Sequence, residues 1–103
     1  MIDSKKLDGM MESLGFAERL SGTDLIRQGV AMVEAQRSIS MTKALYPALA
    51  KATGTDYKRV ERNMRHAIQN AAQRGEWRAF IGDQKPTVSE VLARLARRCS
   101  VEN

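Results

Sequence analysis

The stretch that decides the fold of this chain is Thr55-Asp-Tyr-Lys-Arg-Val-Glu-Arg-Asn-Met-Arg-His-Ala-Ile-Gln-Asn70. At about 100° per residue, its apolar side chains cluster within roughly a third of a helical circumference. This apolar stripe consists of Val60, Met64, Ala67, Ile68 and, just beyond the stretch, Ala71. The opposite face is mostly basic and consists of Lys58, Arg62, Arg65, His66, Gln69 and Gln73. The pattern predicts one amphipathic helix over about residues 56–74.

The basic face of this helix carries side chains of the kind that read DNA bases. Arg62 and Gln69 lie near its centre, and Arg59 and Glu61 lie at its two borders. In a major groove, Arg recognises guanine, Gln recognises adenine and Glu accepts a hydrogen bond from cytosine. We interpret the face as a DNA-reading surface, and the alternative is an ordinary solvated helix. Glu61 either accepts from a base or orients Arg62 or Arg65.

A shorter helical region precedes this helix and ends in a turn. Proline suits the first position of a helix, so we expect two segments, about Ser40–Tyr46 and Pro47–Ala52, with a break between them. Gly54 supplies a left-handed conformation in the turn, and Thr55 is expected to cap the following helix. Two helices joined in this way, over about residues 47–74, form a helix-turn-helix candidate.

The composition favours helices throughout the chain. Hydrophobic residues make up 43% of the 103 residues but aromatic residues only 5%, so aliphatic side chains must fill most of the core. With 2 prolines, long helices are seldom interrupted. A chain of this length suits one domain, residues 1–103. We therefore expect an all-α fold, a compact six-helix domain that contains the helix-turn-helix.

Three further helices complete the expected six. The first covers about Ser4–Leu14, and the second covers about Thr23–Arg37 with Thr23 as its N-cap. The last begins at a capping box, Thr87-Val-Ser-Glu90, and ends near Cys99. The three residues at the end of the chain are expected to fray.

Charge is distributed unevenly along the chain. The net charge is +5 overall, −2 for residues 1–36 and +7 for residues 37–103. Residues 57–74 alone hold five bases and one acid, so ion pairs four residues apart do not explain their composition. A basic half joined to a mildly acidic half indicates an oriented surface for a polyanion. A second basic cluster in the last helix is expected to complement the helix dipole; it consists of Arg94, Arg97 and Arg98.

Several classes of function find little support in the residues. The single histidine, His66, and the single cysteine, Cys99, lie far apart, and no cluster of Cys, His or carboxylates has the spacing of metal ligands. No glycine-rich phosphate loop is present, so we expect no enzyme activity, no metal and no cofactor. One cysteine forbids an internal disulfide and fits a reducing compartment. Without an apolar run of about 18 residues or a signal peptide, the chain is expected to be soluble and cytoplasmic, with no membrane contact.

Two segments of the chain resemble a known family. They are Met41-Thr-Lys-Ala-Leu-Tyr-Pro-Ala-Leu-Ala-Lys51 and Arg59-Val-Glu-Arg-Asn-Met-Arg-His-Ala-Ile68. Together they resemble the C-terminal effector domain of the stage-zero sporulation protein A family, the response regulators of endospore formation. Weaker similarity covers Leu7–Gly15, Gly22–Val33 and Lys85–Glu90, so the resemblance spans nearly the whole chain.

The resemblance implies an all-helical DNA-binding domain whose helix-turn-helix recognises a short TGTCGAA-like box, often in tandem sites. It implies double-stranded DNA as the partner, a dimer on tandem sites, and the sigma subunit of RNA polymerase as a further partner. Carried over by position, the residues that meet base edges would be Arg59, Glu61 and Arg62. Those near the phosphate backbone would be Thr42, Lys43, Thr55, Lys58, Arg65 and His66.

The chain departs from the family in two respects. The receiver domain and its phosphorylatable aspartate have no counterpart in this sequence, so the chain is either a short protein or a piece of a longer regulator. The connection between the fifth and sixth helices is shorter than in the sporulation regulator, which bears on any polymerase or dimer contact made there. The host organism need not form spores.

Two other functions stay open on the sequence alone. A stand-alone interaction module would pair or compete with a full-length response regulator, using the loop around Trp77 and Phe80. Those two aromatic side chains are otherwise most simply core residues beneath the loop. Nonspecific binding to polyanions or membrane surfaces is the third interpretation. Glu61 and Gln69 weigh against it, because an indiscriminate cationic face gains nothing from them.

Overall fold

The computed structural model describes residues 1–101, and within them it contains six α-helices and one π-helical segment. The π-helical segment, Met41–Leu45, runs directly into the third α-helix. In this part of the chain there is no β-strand, only an isolated β-bridge between Ile2 and Ser100. The all-α fold predicted from the sequence is confirmed. The α-helices are α1 (Ser4–Ser13), α2 (Ser21–Ala35), α3 (Tyr46–Thr53), α4 (Tyr57–Ala72), α5 (Arg78–Ile81) and α6 (Val88–Cys99).

Helix α2 begins two residues earlier than predicted, because Thr23 is not its N-cap. Leu20 occupies the N-cap position and makes no side-chain hydrogen bond there. Thr23 is instead buried, and its hydroxyl donates a hydrogen bond of 2.6 Å to the carbonyl of Ala17. The threonine therefore ties the connection between α1 and α2 to the body of the domain.

The expected break between Tyr46 and Pro47 does not occur. Ser40 caps the π-helical segment, since its hydroxyl accepts a hydrogen bond of 3.1 Å from the N–H of Lys43. The helical backbone then continues through Tyr46 into α3 without a gap. Pro47 is the second residue of α3, directly after the π-helical segment.

Helix α4 buries the apolar stripe predicted from its sequence. The helix packs chiefly against α2 and α3, and more lightly against α6. Burial of a large aliphatic side chain contributes about 1.5–3 kcal/mol, so the stripe fixes the rotation of α4 about its axis. The stripe residues are all at most 1% exposed: Val60, Met64, Ala67, Ile68 and Ala71.

Helices α2 and α4 are in close backbone contact at Gly22. A Cβ atom at this position would lie 1.9 Å from the carbonyl oxygen of Asn63 and 2.9 Å from Cβ of Ala67. Glycine is needed here because of the neighbouring backbone and not because of its own φ angle, which is negative. The contact sets the distance between the two helices.

Trp77 and Phe80 belong to the core, and the segment that holds them includes the short helix α5, where the sequence predicted only a loop. The two side chains are 8% and 3% exposed, and their rings meet edge-on with 5.6 Å between centroids. Nε1 of Trp77 donates a hydrogen bond of 2.7 Å to the carbonyl of Leu14. The core interpretation is confirmed for both rings, so they are not exposed to a partner.

Helix α6 begins at the predicted cap and holds α5 in place. The Thr87 hydroxyl accepts a hydrogen bond of 3.2 Å from the N–H of Glu90, while the Glu90 carboxylate accepts one of 3.0 Å from Nε of Arg94. Arg94 and Arg98 both donate to the carbonyl of Phe80, at 3.4 and 3.2 Å, and Arg98 also lies 5.0 Å above the Phe80 ring. Arg94 and Arg98, which were expected to complement the helix dipole, therefore hydrogen-bond α6 to α5.

The two ends of the described chain pair with each other. The N–H of Val101 donates to the carbonyl of Met1, and the N–H of Asp3 donates to the carbonyl of Cys99, each at 2.7 Å. The fraying expected at the end of the chain is therefore wrong for Val101. The expectation also concerned residues 102 and 103, which lie outside the described residues.

We predict that alanine substitutions at two helical glycines change stability in opposite directions. Gly22→Ala should lower the free energy of unfolding by about 1–3 kcal/mol, because the new methyl group collides with the backbone of α4. Gly9→Ala should raise it by about 0.5–1 kcal/mol, because alanine favours the helix and no atom lies within 4 Å of a Cβ there. Urea denaturation followed by circular dichroism measures both. A Gly22→Ala variant as stable as the wild type would contradict the close contact between α2 and α4.

Candidate nucleic-acid interface

A tight turn and a side-chain cap set the start of α4. Gly54 has φ 69° and ψ 35°, the left-handed conformation that glycine adopts without strain. Asp56 is the N-cap, since its carboxylate accepts a hydrogen bond of 2.9 Å from the N–H of Arg59. The predicted cap, Thr55, is therefore wrong by one residue, and its own N–H donates to a carbonyl of α3. Helix α3, this turn and α4 form the helix-turn-helix, over residues 46–72, where the sequence predicts it at about residues 47–74.

The outward face of α4 is polar along its length. Lys58, Arg62, His66 and Gln69 are all exposed, and successive members lie about one turn apart. Among the described residues, none of these four side chains has an ion-pair or hydrogen-bond partner. Their charges and donors are therefore left available to an anionic partner.

Glu61 and Arg65 border this face on the side of the π-helical segment. Nε of Arg65 lies 3.7 Å from Oε1 of Glu61, and the two side chains are 53% and 34% exposed. Of the two arginines that Glu61 was predicted to orient, the one it contacts is Arg65. Burial, with a smaller contribution from the Glu61 carboxylate, raises the pKa of the neighbouring Tyr46. An exposed pair four residues apart is worth only about 0.3–0.5 kcal/mol, so a ligand can displace it.

Arg59 forms the opposite border of the face. Its side chain is exposed and lines a groove of about 360 Å³ whose other wall is the start of α2, including Asp24 and Gln28. Thr55 lines the same groove and is half-buried. Arg59 and Glu61 therefore lie on opposite flanks of α4, as the periodicity predicts.

The π-helical segment supplies two further predicted residues, Thr42 and Lys43, and both are exposed. Thr42 lines a second, larger groove of about 810 Å³ on the Glu61 flank of α4, together with Glu61 and Arg65. Lys43 lines neither groove. The structure thus brings Thr42 to the Glu61–Arg65 pair and Thr55 to Arg59, while Lys43 stands apart from both groups.

The sequence does not predict the far wall of the larger groove. That wall is Lys85–Ser89, the segment that leads into α6. It is distant from α4 in sequence, and only the packing of α6 against α4 brings the two together. No local pattern marks these residues, because Lys, Pro and Ser are ordinary constituents of a helix entry.

Outside α4, a conspicuous basic side chain is neutralised within the domain. Arg27 on α2 bonds to the Glu18 carboxylate and, at 2.8 Å, to that of Asp8. These hydrogen bonds, the one to Glu18 foremost, raise the pKa of Arg27, and the same contact lowers the pKa of Glu18. Arg27 is therefore neutralised within the domain, whereas Lys58 and Arg62 on α4 have no acidic partner among the described residues.

The described residues can also be assessed for a metal site, a membrane-spanning helix and a reactive cysteine. Within residues 1–101, no group of three His, Cys, Asp or Glu side chains is placed to hold a metal ion. No helix in that range combines the length and hydrophobicity needed to cross a membrane. Cys99 is buried, which raises the pKa of its thiol, and its sulfur lies 3.5 Å from that of Met10.

We predict that removing the Asp56 carboxylate loosens the first turn of α4. Asp56→Ala should lower the free energy of unfolding by about 1 kcal/mol, because the N–H of Arg59 loses its acceptor. Asp56→Asn keeps an acceptor and should cost clearly less. Thr55→Ala, one residue earlier, is the control and should cost less than about 0.5 kcal/mol. Thermal unfolding measures all three, and a Thr55→Ala variant less stable than Asp56→Ala would show that the cap is wrongly assigned.

Comparison with known families agrees with this geometry. The chain matches the family described as "Sporulation initiation factor Spo0A C terminal" over residues 7–99. The match runs from α1 to the last residue of α6 and includes the turn, α4 and both grooves. The helix-turn-helix and the uncompensated basic face of α4 are the features expected of a DNA-binding domain. The chain therefore belongs to the Spo0A C-terminal family of DNA-binding effector domains.

Proposed function

We propose that this domain is a sequence-specific regulator of transcription that reads double-stranded DNA with α4 in the major groove of a TGTCGAA-like site. The observation that carries the proposal is the outward face of α4, which is exposed, basic and without acidic partners at its centre. A helix-turn-helix inserts its second helix into the groove, with the N-terminal residues of that helix at the base edges. The Asp56 cap supports this arrangement because it orders the first turn of α4.

Arg59, Glu61 and Arg62 are the proposed base-reading residues. They lie in the first two turns of α4, with Arg62 at the centre of the outward face and the others on its two flanks. Arg forms two hydrogen bonds with guanine, and Glu accepts one from cytosine. A TGTCGAA-like box offers both bases. Glu61 would exchange its weak contact with Arg65 for a base or hold Arg65 in position.

The proposed phosphate contacts surround the base-reading residues. The π-helical segment supplies two of them, the turn one and α4 three. These contacts supply most of the affinity and its dependence on salt. Five of the six residues are exposed and one, in the turn, is half-buried: Thr42, Lys43, Thr55, Lys58, Arg65 and His66.

Further partners are proposed from the family alone. We expect the domain to act in the cytoplasm without catalytic activity, to pair on tandem boxes and to contact the sigma subunit of RNA polymerase. Comparing affinities for one box and for two adjacent boxes tests the pairing. Equal affinity per box in the two DNAs would contradict it.

The rival function is a stand-alone interaction module that pairs or competes with a full-length regulator through the loop around Trp77 and Phe80. The two aromatic side chains are buried, so only the exposed residues of that loop, such as Glu76 and Arg78, could contact a partner. Co-purification with a full-length regulator, together with no measurable affinity for the box, would favour the rival nonetheless.

We predict that Arg62→Ala weakens binding to box DNA by about 1–3 kcal/mol and relaxes preference at one position of the site. Arg62→Lys keeps the charge but loses the paired donors of the guanidinium, so it should lose discrimination while keeping affinity for scrambled DNA. Gel-shift titrations on box and scrambled duplexes measure both effects.

The matched control for Arg62 is Arg97→Ala, an exposed arginine in the last turn of α6, and it should leave both affinities nearly unchanged. If Arg62→Ala weakened binding to box and scrambled DNA by the same factor, Arg62 would be a phosphate contact and not a base reader.

We predict the opposite pattern for Lys43→Ala. Lys43 is exposed and is proposed to contact phosphate, so Lys43→Ala should weaken binding to box and scrambled DNA similarly. The number of counterions released on binding, read from the salt dependence, should fall by about one. The same titrations at several salt concentrations measure this. An unchanged salt dependence would remove Lys43 from the interface.

A further inference from the structure

The larger groove follows one flank of α4 for about three turns, from Glu61 to Gln73. Lys85–Ser89 faces α4 across it, and Thr42 and Tyr46 lie at the Glu61 end. The groove adjoins the proposed base-reading face directly, because Glu61 belongs to both. Its far wall takes no part in the DNA contacts proposed above.

The residues that line this groove carry an excess of positive charge. Arg65 and Lys85 line it, and the one carboxylate among its lining residues is Glu61, which already contacts Arg65. Lys85 is exposed and has no ion-pair partner in the part of the chain that the structure describes. The exposed hydroxyl of Ser89 stands on the same wall. Cationic and hydroxyl side chains are the groups that commonly contact DNA phosphates.

We propose that this groove holds the sugar–phosphate backbone of the DNA strand that runs beside α4, with Lys85 and Ser89 as phosphate contacts. The proposal rests on the proposed function, in which α4 occupies the major groove. A helix in the major groove has one strand of the duplex on each side. On the Glu61 flank, that strand passes between α4 and the wall formed by Lys85–Ser89.

Charge and position favour a DNA strand over other occupants. The groove is continuous with the uncompensated basic face of α4, so one polyanion covers both surfaces. A second copy of this chain, with a net charge of +5, gains less from a basic groove than a polyanion does. The field that attracts DNA to α4 therefore also extends over Lys85.

The sharpest test places a negative charge in the groove. Ser89→Glu should weaken binding to box and scrambled DNA by the same factor, about tenfold, because the new carboxylate repels the phosphates of the DNA backbone. Ser4→Glu is the matched control: it makes the same change in the first turn of α1, near Cys99 at the far end of α6, and should change both affinities less than about twofold. An acid in the first turn favours the helix dipole, so neither variant should lower the melting temperature.

A second pair of variants tests whether Lys85 makes an ionic contact with a phosphate. Lys85→Ala should weaken both duplexes by about threefold to tenfold and lower the slope of log affinity against log salt by about 0.9, the value of one phosphate contact. Lys5→Ala removes the same charge from α1 and should leave the slope as in the wild type. Fluorescence anisotropy with labelled box and scrambled duplexes at several potassium chloride concentrations measures all four variants.

The outcomes separate this proposal from the proposed function. If the wild type binds tightly and each groove variant behaves like its control on α1, the backbone groove is overturned and the proposed function stands. A loss confined to box DNA overturns it too, because backbone contacts do not discriminate between sequences. A wild-type domain that binds neither duplex overturns both.

Discussion

Burial of one face of α4 is the constraint on which the rest of this domain depends. The helix cannot rotate without exposing Val60, Met64 and Ile68, each worth about 1.5–3 kcal/mol when buried. It cannot draw closer to α2, because the backbones already meet where Gly22 leaves no room for a side chain. Rotation and distance are both fixed, so the polar face is presented outward in a single orientation. Direct reading of base edges needs this, since hydrogen bonds to bases tolerate little misplacement.

The same packing also determines which basic side chains are paired within the domain and which are left without an acidic partner. Arg27 on α2 pairs with Asp8 of α1 and with Glu18 in the connection between the two helices, and Arg98 contacts the carbonyl and ring of Phe80. On α4, Arg65 has a weak acidic partner, whereas Lys58 and Arg62 have none among the described residues. The centre of the outward face of α4 therefore keeps its positive charge, which would attract a polyanion to this helix.

Much of this architecture could be predicted from the sequence, and the failures have physical causes. The buried stripe of α4 was predictable because helical periodicity is local. The sequence does not distinguish Thr55 from Asp56 as the cap, because Thr and Asp are adjacent and both can cap, so only backbone geometry selects Asp56. The sequence does not predict the continuous helix at Pro47, because a π-helical segment leaves no strong sequence signal. The wall at Lys85–Ser89 could not be predicted, since tertiary packing alone brings it to α4.

Methylation interference shows whether the outward face of α4 reads bases from the major groove. Dimethyl sulfate methylates N7 of guanine, the major-groove atom that an arginine such as Arg62 would contact. A box duplex sparingly methylated in this way is mixed with the domain, and bound and free DNA are separated and cleaved. If α4 reads the box from the major groove, DNA with guanines methylated within the box is depleted from the bound fraction, while DNA methylated outside the box is not. Equal methylation of bound and free DNA throughout the box would contradict it.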